Sequence, residues 1–283
     1  MVCWANGYGI MRARSTENVR RVVKERLDFD EDRIVKVFLS HDVDWSKRGP
    51  PKSHVLKRLN RFPDEVKSLV ILKGYNPYYC IPDIMDLEER YGFKSTFFFR
   101  VRYDDGSTVL DYEDDIKSLI RGGWEVGLHV NDPLSIESEI KSLELLNVRV
   151  LGARVHYLRL APTYFERLAE LGVLYDSSVK FCKSDVVHYD TLPLRLCGVW
   201  VFPITIMDAY MFTYMRIAED KVVSAVAKAI DVARRVSGIV TIDWHQCSLK
   251  MIGGRKYADI LEMLSSRDDV MVLRGCDVAR LVG

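Results

Sequence analysis

Short apolar runs alternate with amphipathic segments along most of the chain. The runs Ile34 to Ser40, Ser95 to Arg100, Glu125 to His129, Arg149 to Ala153, Val199 to Ile204, Ile239 to Trp244 and Val270 to Leu273 read as strands. They are rich in Val, Ile, Leu and Phe, as parallel strands buried on both faces are. Between them the apolar spacing turns helical. Pro82 suits a first helical turn and Gly92 a stop, which predicts a helix over Asp83 to Tyr91. Asp132 and Pro133 read as N-cap and first position of a helix reaching about Leu146. Further helices are predicted from Pro162 to Gly172, from Glu219 to Ser237 and from Lys256 to Ser266. Strand and helix alternating in this way predict an α/β fold with a parallel sheet and helices outside it. Seven or eight such units predict a distorted, closed or nearly closed (β/α) barrel, one domain over residues 1–283.

One stretch breaks the rhythm. Trp45 to Cys80 is a long insertion after the first core strand, with an amphipathic piece, His54 to Leu72, between two Gly/Pro-containing turns. Loops of this length are uncommon unless functional. In a parallel barrel the insertion belongs at the C-terminal ends of the strands, where active sites are built.

Charge and cysteine content narrow the function classes. The formal net charge is +1 over 283 residues, so no strong basic field exists to hold a nucleic acid. The basic stretch Arg12 to Arg26 is mixed with acids and reads as a solvated helix face. No apolar run reaches the ~18 residues of a membrane span, and no signal sequence is evident, so a cytoplasmic location is expected. The six cysteines form no CxxC pair, which argues against a thiolate zinc site. Free thiols are the expectation, with a Cys182–Cys197 disulfide as the alternative.

Ionisable residues gather where the apolar strands end. The first core strand runs out as His41-Asp42-Val43-Asp44-Trp45, the third as His129-Val130-Asn131-Asp132, the fourth as Arg154-Val155-His156-Tyr157, and another as Asp243-Trp244-His245. Side chains alternate along a strand, so Asp42 and Asp44 share a face while His41 looks the other way. Two carboxylates on one face repel unless a cation or a proton lies between them. Each residue alone has a bland alternative, a turn cap or a satisfied core histidine. Convergence of several on strand ends is how a barrel assembles a catalytic site. Asp208 either lines the site or caps a turn. Trp45, Tyr78, Tyr79 and Trp244 are candidates to line a binding cleft or to pack in the core, while His54 and His188 read as surface residues.

The order Asp-x-Asp, Gly-Leu-His, Arg-x-His-Tyr-Leu-Arg, Tyr-Asp-Ser-Ser and Asp-Trp-His, from about Ile34 to Leu273, resembles the polysaccharide deacetylases (the NodB-homology group), and in particular a branch with a single histidine in its second motif. The resemblance implies a hydrolase that uses a divalent cation, Zn²⁺ by preference, to remove an acyl group from a sugar or glycan. It implies Asp42 as general base, Asp44 and His129 as metal ligands, Arg154 as the arginine orienting the base and Asp176 as the acid paired with that arginine. It further implies Tyr157 as donor of an oxyanion-binding N–H and His245 as general acid. The chain departs from the family pattern in two places. The two aspartates are usually adjacent, and a second histidine usually stands four residues after the first, where this chain has Pro133. His156 is the candidate replacement ligand, with Asn131 or Asp132 as fallback. Two other functions remain open: an amidohydrolase of the same fold acting on a small cyclic amide or ureide, and a carbohydrate-binding relative without catalysis. A structural (β/α) protein with incidental polar rims is a weaker third.

Overall fold

The computed structural model describes residues 34–282. Ten strands form one sheet. They are β1 (Val35–Val43), β2 (Thr96–Phe99), β3 (Glu125–Val130), β4 (Gly152–Val155), β5 (Tyr175–Asp176), β6 (Leu194–Leu196), β7 (Val199–Val201), β8 (Ile206–Met207), β9 (Ile239–Asp243) and β10 (Val270–Leu273). The order is β6-β7-β5-β4-β3-β2-β1-β9-β8, with β10 also on β1. Every pairing is parallel except β6 with β7. The strand β1 needs its length because two strands share one of its edges: Val35–Phe38 pair with β10, and Ser40–Val43 with β2. The gap between the sheet edges is spanned by the segment joining β7 to β8. Phe202 N–H donates to the carbonyl of Asp176, Ile204 to Val179 and Thr205 to Thr241. The expected near-closed barrel is therefore present as a curled sheet stitched along that seam.

The helices are α1 (Lys52–Lys57), α2 (Asp64–Lys73), α3 (Ile81–Arg90), α4 (Glu113–Arg121), α5 (Ile136–Glu144), α6 (Tyr164–Glu170), α7 (Asp208–Thr213), α8 (Val222–Arg235), α9 (Tyr257–Ser265) and α10 (Gly275–Val282). The helix expected to start at Pro133 begins as a 3-10 turn, Pro133–Ser135, with Asp132 capping Leu134 N–H, and becomes α5 only at Ile136. The fourth strand starts three residues later and ends two residues later than the apolar run suggests, so Arg154 is within it. Strands of two or three residues, such as β5 and β8, are too short to show a period. Among the described residues no helix is long and apolar enough to cross a membrane. Cys182 and Cys197 are free, as are Cys80, Cys247 and Cys276. Cys3 and the basic stretch Arg12 to Arg26 lie outside the described residues.

Two-residue alternation sorts the buried side chains into an outer and an inner layer. On β1 the positions Val35, Val37, Leu39 and Val43 join the large cluster beneath the helices. His41 shares that side, where Glu88 of α3 and the Tyr257 hydroxyl of α9 meet its ring. The alternate position, Phe38, meets Phe98, Tyr175 and Phe202 in a second cluster with residues of α10. Phe38 meets the Tyr175 ring edge-on at 5.6 Å. These rings plug the N-terminal end of the barrel. They need the missing side chains of Gly127 and Gly152: a Cβ on Gly152 would lie 2.0 Å from the Tyr175 ring, and one on Gly127 2.6 Å from that of Phe98.

Candidate metal centre and acid–base site

On the inner face, above the aromatic plug, the polar residues begin. Arg154 is fully buried, with its guanidinium carbon 4.5 Å over the Phe98 ring. Its Nη1 donates to Asp42 Oδ1 at 2.9 Å, Nη2 to the hydroxyls of Ser40 and Ser177, and Nε to the Ser177 carbonyl. A buried charge persists only when it is paired and hydrogen-bonded, and Arg154 meets both conditions. The second carboxylate against Nη1 is Asp243, at 3.0 Å. The contact lies off the hydrogen-bonding direction, and neither Asp243 oxygen has a hydrogen-bond partner among the described residues. Burial, followed by the Asp42 charge, pushes the Asp243 carboxyl up to about 7.

The expected pairing of Asp176 with Arg154 is not found. Asp176 accepts from the Tyr164 hydroxyl of α6 and from the N–H and hydroxyl of Ser178. The reason is parity. Tyr175 and Ser177 take the inner positions of that strand, so Asp176 between them faces the helices. Burial raises its carboxyl to about 6. The acid that meets the arginine is Asp243, two residues before His245 and on the same face of β9 and its extension.

One step further toward the strand C-termini, three donor atoms converge. His129 Nε2 is 3.2 Å from Asp44 Oδ1, His156 Nδ1 is 3.3 Å from the same oxygen, and the two ring nitrogens are 3.1 Å apart. His129 Nδ1 lies 2.9 Å from the Arg154 carbonyl, which can only accept. That contact places the proton on Nδ1 and leaves the Nε2 lone pair facing the cluster. Lone pairs aimed at one another are repulsive without a cation or a proton among them. The three separations also match the ~3.3 Å edge of a tetrahedron with ~2.0 Å bonds, the geometry of divalent zinc-type sites. The donor set thus fits a divalent cation. Asn131 is committed elsewhere, to the backbone of Val101 and Arg102, and Asp132 caps its turn. Neither fallback reaches the cluster, and His156 does.

Burial raises the Asp44 carboxyl, yet its hydrogen bonds to His129 and His156 outweigh this and hold it well below the usual carboxylate range. Asp42 is likewise lowered, because His129, Arg154 and His245 outweigh its burial. Burial lowers the His156 imidazole. Asp42 turns Oδ1 to Arg154 and Oδ2 toward His129 Nε2, 3.6 Å away, so Oδ2 borders the cluster.

His245 lies across the cluster, with Nε2 3.6 Å from Asp44 Oδ2. Its Nδ1 is 2.6 Å from Asp208 Oδ1, and Asp208 is also held by the Ser248 hydroxyl. Burial works against the imidazolium, but Asp208 and Asp243 outweigh it and raise His245 well above its ordinary value. Of the two readings of Asp208, the site-lining one describes its position. Tyr157 sits at φ +59°, its side chain exposed and its ring 3.9 Å from that of His156.

The site opens into a cleft of about 570 Å³. The insertion forms one wall, with Trp45, His54, Arg58, Arg61 and Tyr78. Phe212, Met251 and Ile252 belong to the other. Of the aromatic candidates, Trp45 is the one that is both in the cleft and partly exposed. Trp244 faces the helices, stacked on Tyr257 and bonded to the Gly254 carbonyl, and Tyr79 bonds Asp115. His54 is not a free surface residue: its ring packs on Trp45 and Tyr78.

No family model and no curated protein matches the sequence. Solved structures do match. A protein from Mycobacterium smegmatis assigned as a polysaccharide deacetylase superposes with a TM-score of 0.63 at 17% identity, covering 91% of this chain and 93% of that one. A family 4 carbohydrate esterase pseudoenzyme from Bacillus anthracis gives 0.51 at 12% identity, over 87% of this chain and 66% of that one. The 4-alpha-glucanotransferase of Thermococcus litoralis gives 0.53 at 16% identity, over 87% of this chain and 40% of that one. Relatives of such different description share an architecture rather than a reaction. The fold of this chain is that of the polysaccharide deacetylases.

Proposed function

We propose that the protein is a metal-dependent hydrolase that removes an acyl group, N-acetyl by preference, from a sugar. The observation that carries this is the convergence of Asp44, His129 and His156 between a carboxylate held by an arginine, Asp42, and a histidine held by a carboxylate, His245. A pure binder has no need of a base and an acid on opposite sides of three convergent donors. We assign Zn²⁺, because two imidazoles and one carboxylate are the ligand set of hydrolytic zinc.

When bound, the cation supplies Lewis acidity to the acyl carbonyl and to water. The chain supplies the rest. Asp42 Oδ2 accepts the proton of the attacking water, and Arg154, bonded to Oδ1, keeps that carboxylate ionised and oriented. Tyr157, next to His156, offers its backbone N–H to the oxyanion. His245, kept protonated by Asp208, gives its Nε2 proton to the leaving nitrogen. Asp176 has no part in this scheme.

Elemental analysis of the purified protein beside His129→Ala and His156→Ala tests the reading. About one divalent ion per chain, lost in both variants, together with acetate release from N-acetylglucosamine compounds, supports it. A chain that takes up no metal after soaking with zinc would overturn the proposal. Release of product from small cyclic amides but not from acetylated sugars would keep the chemistry and change the substrate.

A further inference from the structure

The cleft wall built by the insertion carries a charge that the deacylation scheme does not use. The 3-10 turn Leu59–Arg61 and the residue before it place Arg58, Asn60 and Arg61 on the cleft that contains Asp44 and His245. Neither Arg58 nor Arg61 has an acidic partner among the described residues. Arg255, on the same side of the molecule, pairs with Glu65, and Lys67 of α2 pairs with Asp64. Acidic side chains in the cleft lie elsewhere: Asp44 is in the donor cluster, Asp208 holds His245, and Glu219 is exposed.

The two arginines also stand on a fixed platform. Phe62, next in the chain, is fully buried in a small apolar cluster with Val55, Val66, Tyr78 and Cys247. The Arg61 carbonyl accepts from Ile252 N–H at 2.8 Å, which ties the turn to the opposite wall of the cleft. Two arginines carried by such a turn, Arg58 half-buried and Arg61 exposed, stand beside a neutral amide and the Trp45 and Tyr78 rings and can offer forked donors to a planar or tetrahedral oxyanion. A neutral sugar gives them no counter-charge.

We propose that the wall at Arg58 and Arg61 is an anion subsite, and that the sugar acted on carries an anionic substituent, a phosphate ester or a carboxylate, bound there while its acyl group faces Asp42 and His245. This rests on the deacylase reading for the position of the acyl group, and on the arginines alone for the anion.

The test is calorimetric titration of the full chain with neutral N-acetylglucosamine, with N-acetylglucosamine 1-phosphate, with uridine diphosphate N-acetylglucosamine and with N-acetylmuramic acid. The wild type is compared with Arg58→Ala/Arg61→Ala and with His129→Ala. We expect at least one anionic ligand to bind about tenfold or more tightly than the neutral sugar. That advantage should vanish in the double arginine variant, survive in His129→Ala and shrink as salt rises. The phosphate compounds against the muramic acid tell which anion is preferred. Equal affinity for neutral and charged sugars, or an unchanged double variant, overturns the proposal. So does an advantage that disappears in His129→Ala, since the anion would then be held by the metal centre. Acetate release from neutral oligomers alone would leave the deacylase reading standing and remove this one. Arginine-dependent anion binding with no acyl release from any sugar would do the reverse.

Discussion

At the residue scale the site is a set of side chains two positions apart on strands. Asp42 and Asp44, Arg154 and His156, Asp243 and His245 are such pairs, and His129 shares the inner face. Each pair places one group in the arginine layer and one nearer the cleft. The two members of a pair therefore have separable roles. Asp42→Asn is expected to lower turnover at least about 100-fold while metal content stays near wild type, because the three donors remain. A rate within a fewfold of wild type would remove Asp42 from the base role. Asp208→Asn takes the partner from His245 but touches none of the donors, so turnover should again fall by ~100-fold at unchanged metal content. Loss of metal in this variant would mean that Asp208 supports the cluster instead.

Asp176 belongs to the residue scale as well, though as a stability element. Its carboxyl is raised to about 6 by burial against an ordinary 3.8, so folding disfavours its ionised form. The protonated group folds without that cost. Stability from this group is therefore greatest below about pH 4 and declines as pH rises through 6, by roughly 3 kcal/mol in total. Denaturation of the wild type and of Asp176→Asn across pH 4 to 7 should show the variant gaining on the wild type by about that amount as pH rises. A constant difference between the two would show that Asp176 does not titrate in this range.

At the element scale, β1 carries the largest share of the organisation, bordered by β9 on one edge and by β10 and β2 on the other. Its alternation sends Phe38 to the inner plug and His41 to the buried contact with Glu88, so a shift of one residue would put Asp42 among the helices. The insertion is organised differently. It rests on a small cluster around Phe62, shared with Cys247 and Met251 of the segment after β9, rather than on the large core beneath the helices. Phe62→Ala should cost that cluster ~3–5 kcal/mol. The expected result is rapid proteolytic cleavage between residues 45 and 80 with a barrel that still melts cooperatively. A variant as resistant as the wild type would show that the wall is held by the barrel itself.

At the scale of the whole molecule, a cation held by Asp44, His129 and His156 would join β3 and β4 to the end of β1. Binding only to the folded chain stabilises it by mass action, ~2.7 kcal/mol at a hundred times the dissociation constant. For a chain of this size that is a rise of roughly 4–6 °C in melting temperature. Differential scanning calorimetry with zinc and with chelator should show the rise in the wild type and not in His129→Ala or His156→Ala. A melting temperature indifferent to zinc would count against the site.

Much of this was legible in the sequence because it depends on short-range rules. Apolar runs marked the long strands, and two-residue alternation set Asp42 and Asp44 apart from His41. The clustering of acids and histidines at strand ends pointed to the site. His156 could be nominated in place of the missing histidine through the family resemblance, because it stands where the common family pattern has proline. Tertiary structure decided the rest. Asp176 and Asp243 both follow apolar positions on strands, and only the phase of β5 against β9 determines which one meets Arg154. Asp208 and His245 are 37 residues apart in sequence, so nothing local announces their 2.6 Å contact. Trp244 and Trp45 look alike in sequence; one packs beneath α9 and the other borders the cleft. Alternation along a strand is a local property of the backbone. Which face turns inward, and what it meets there, follows only when the sheet curls and its distant strands come into register.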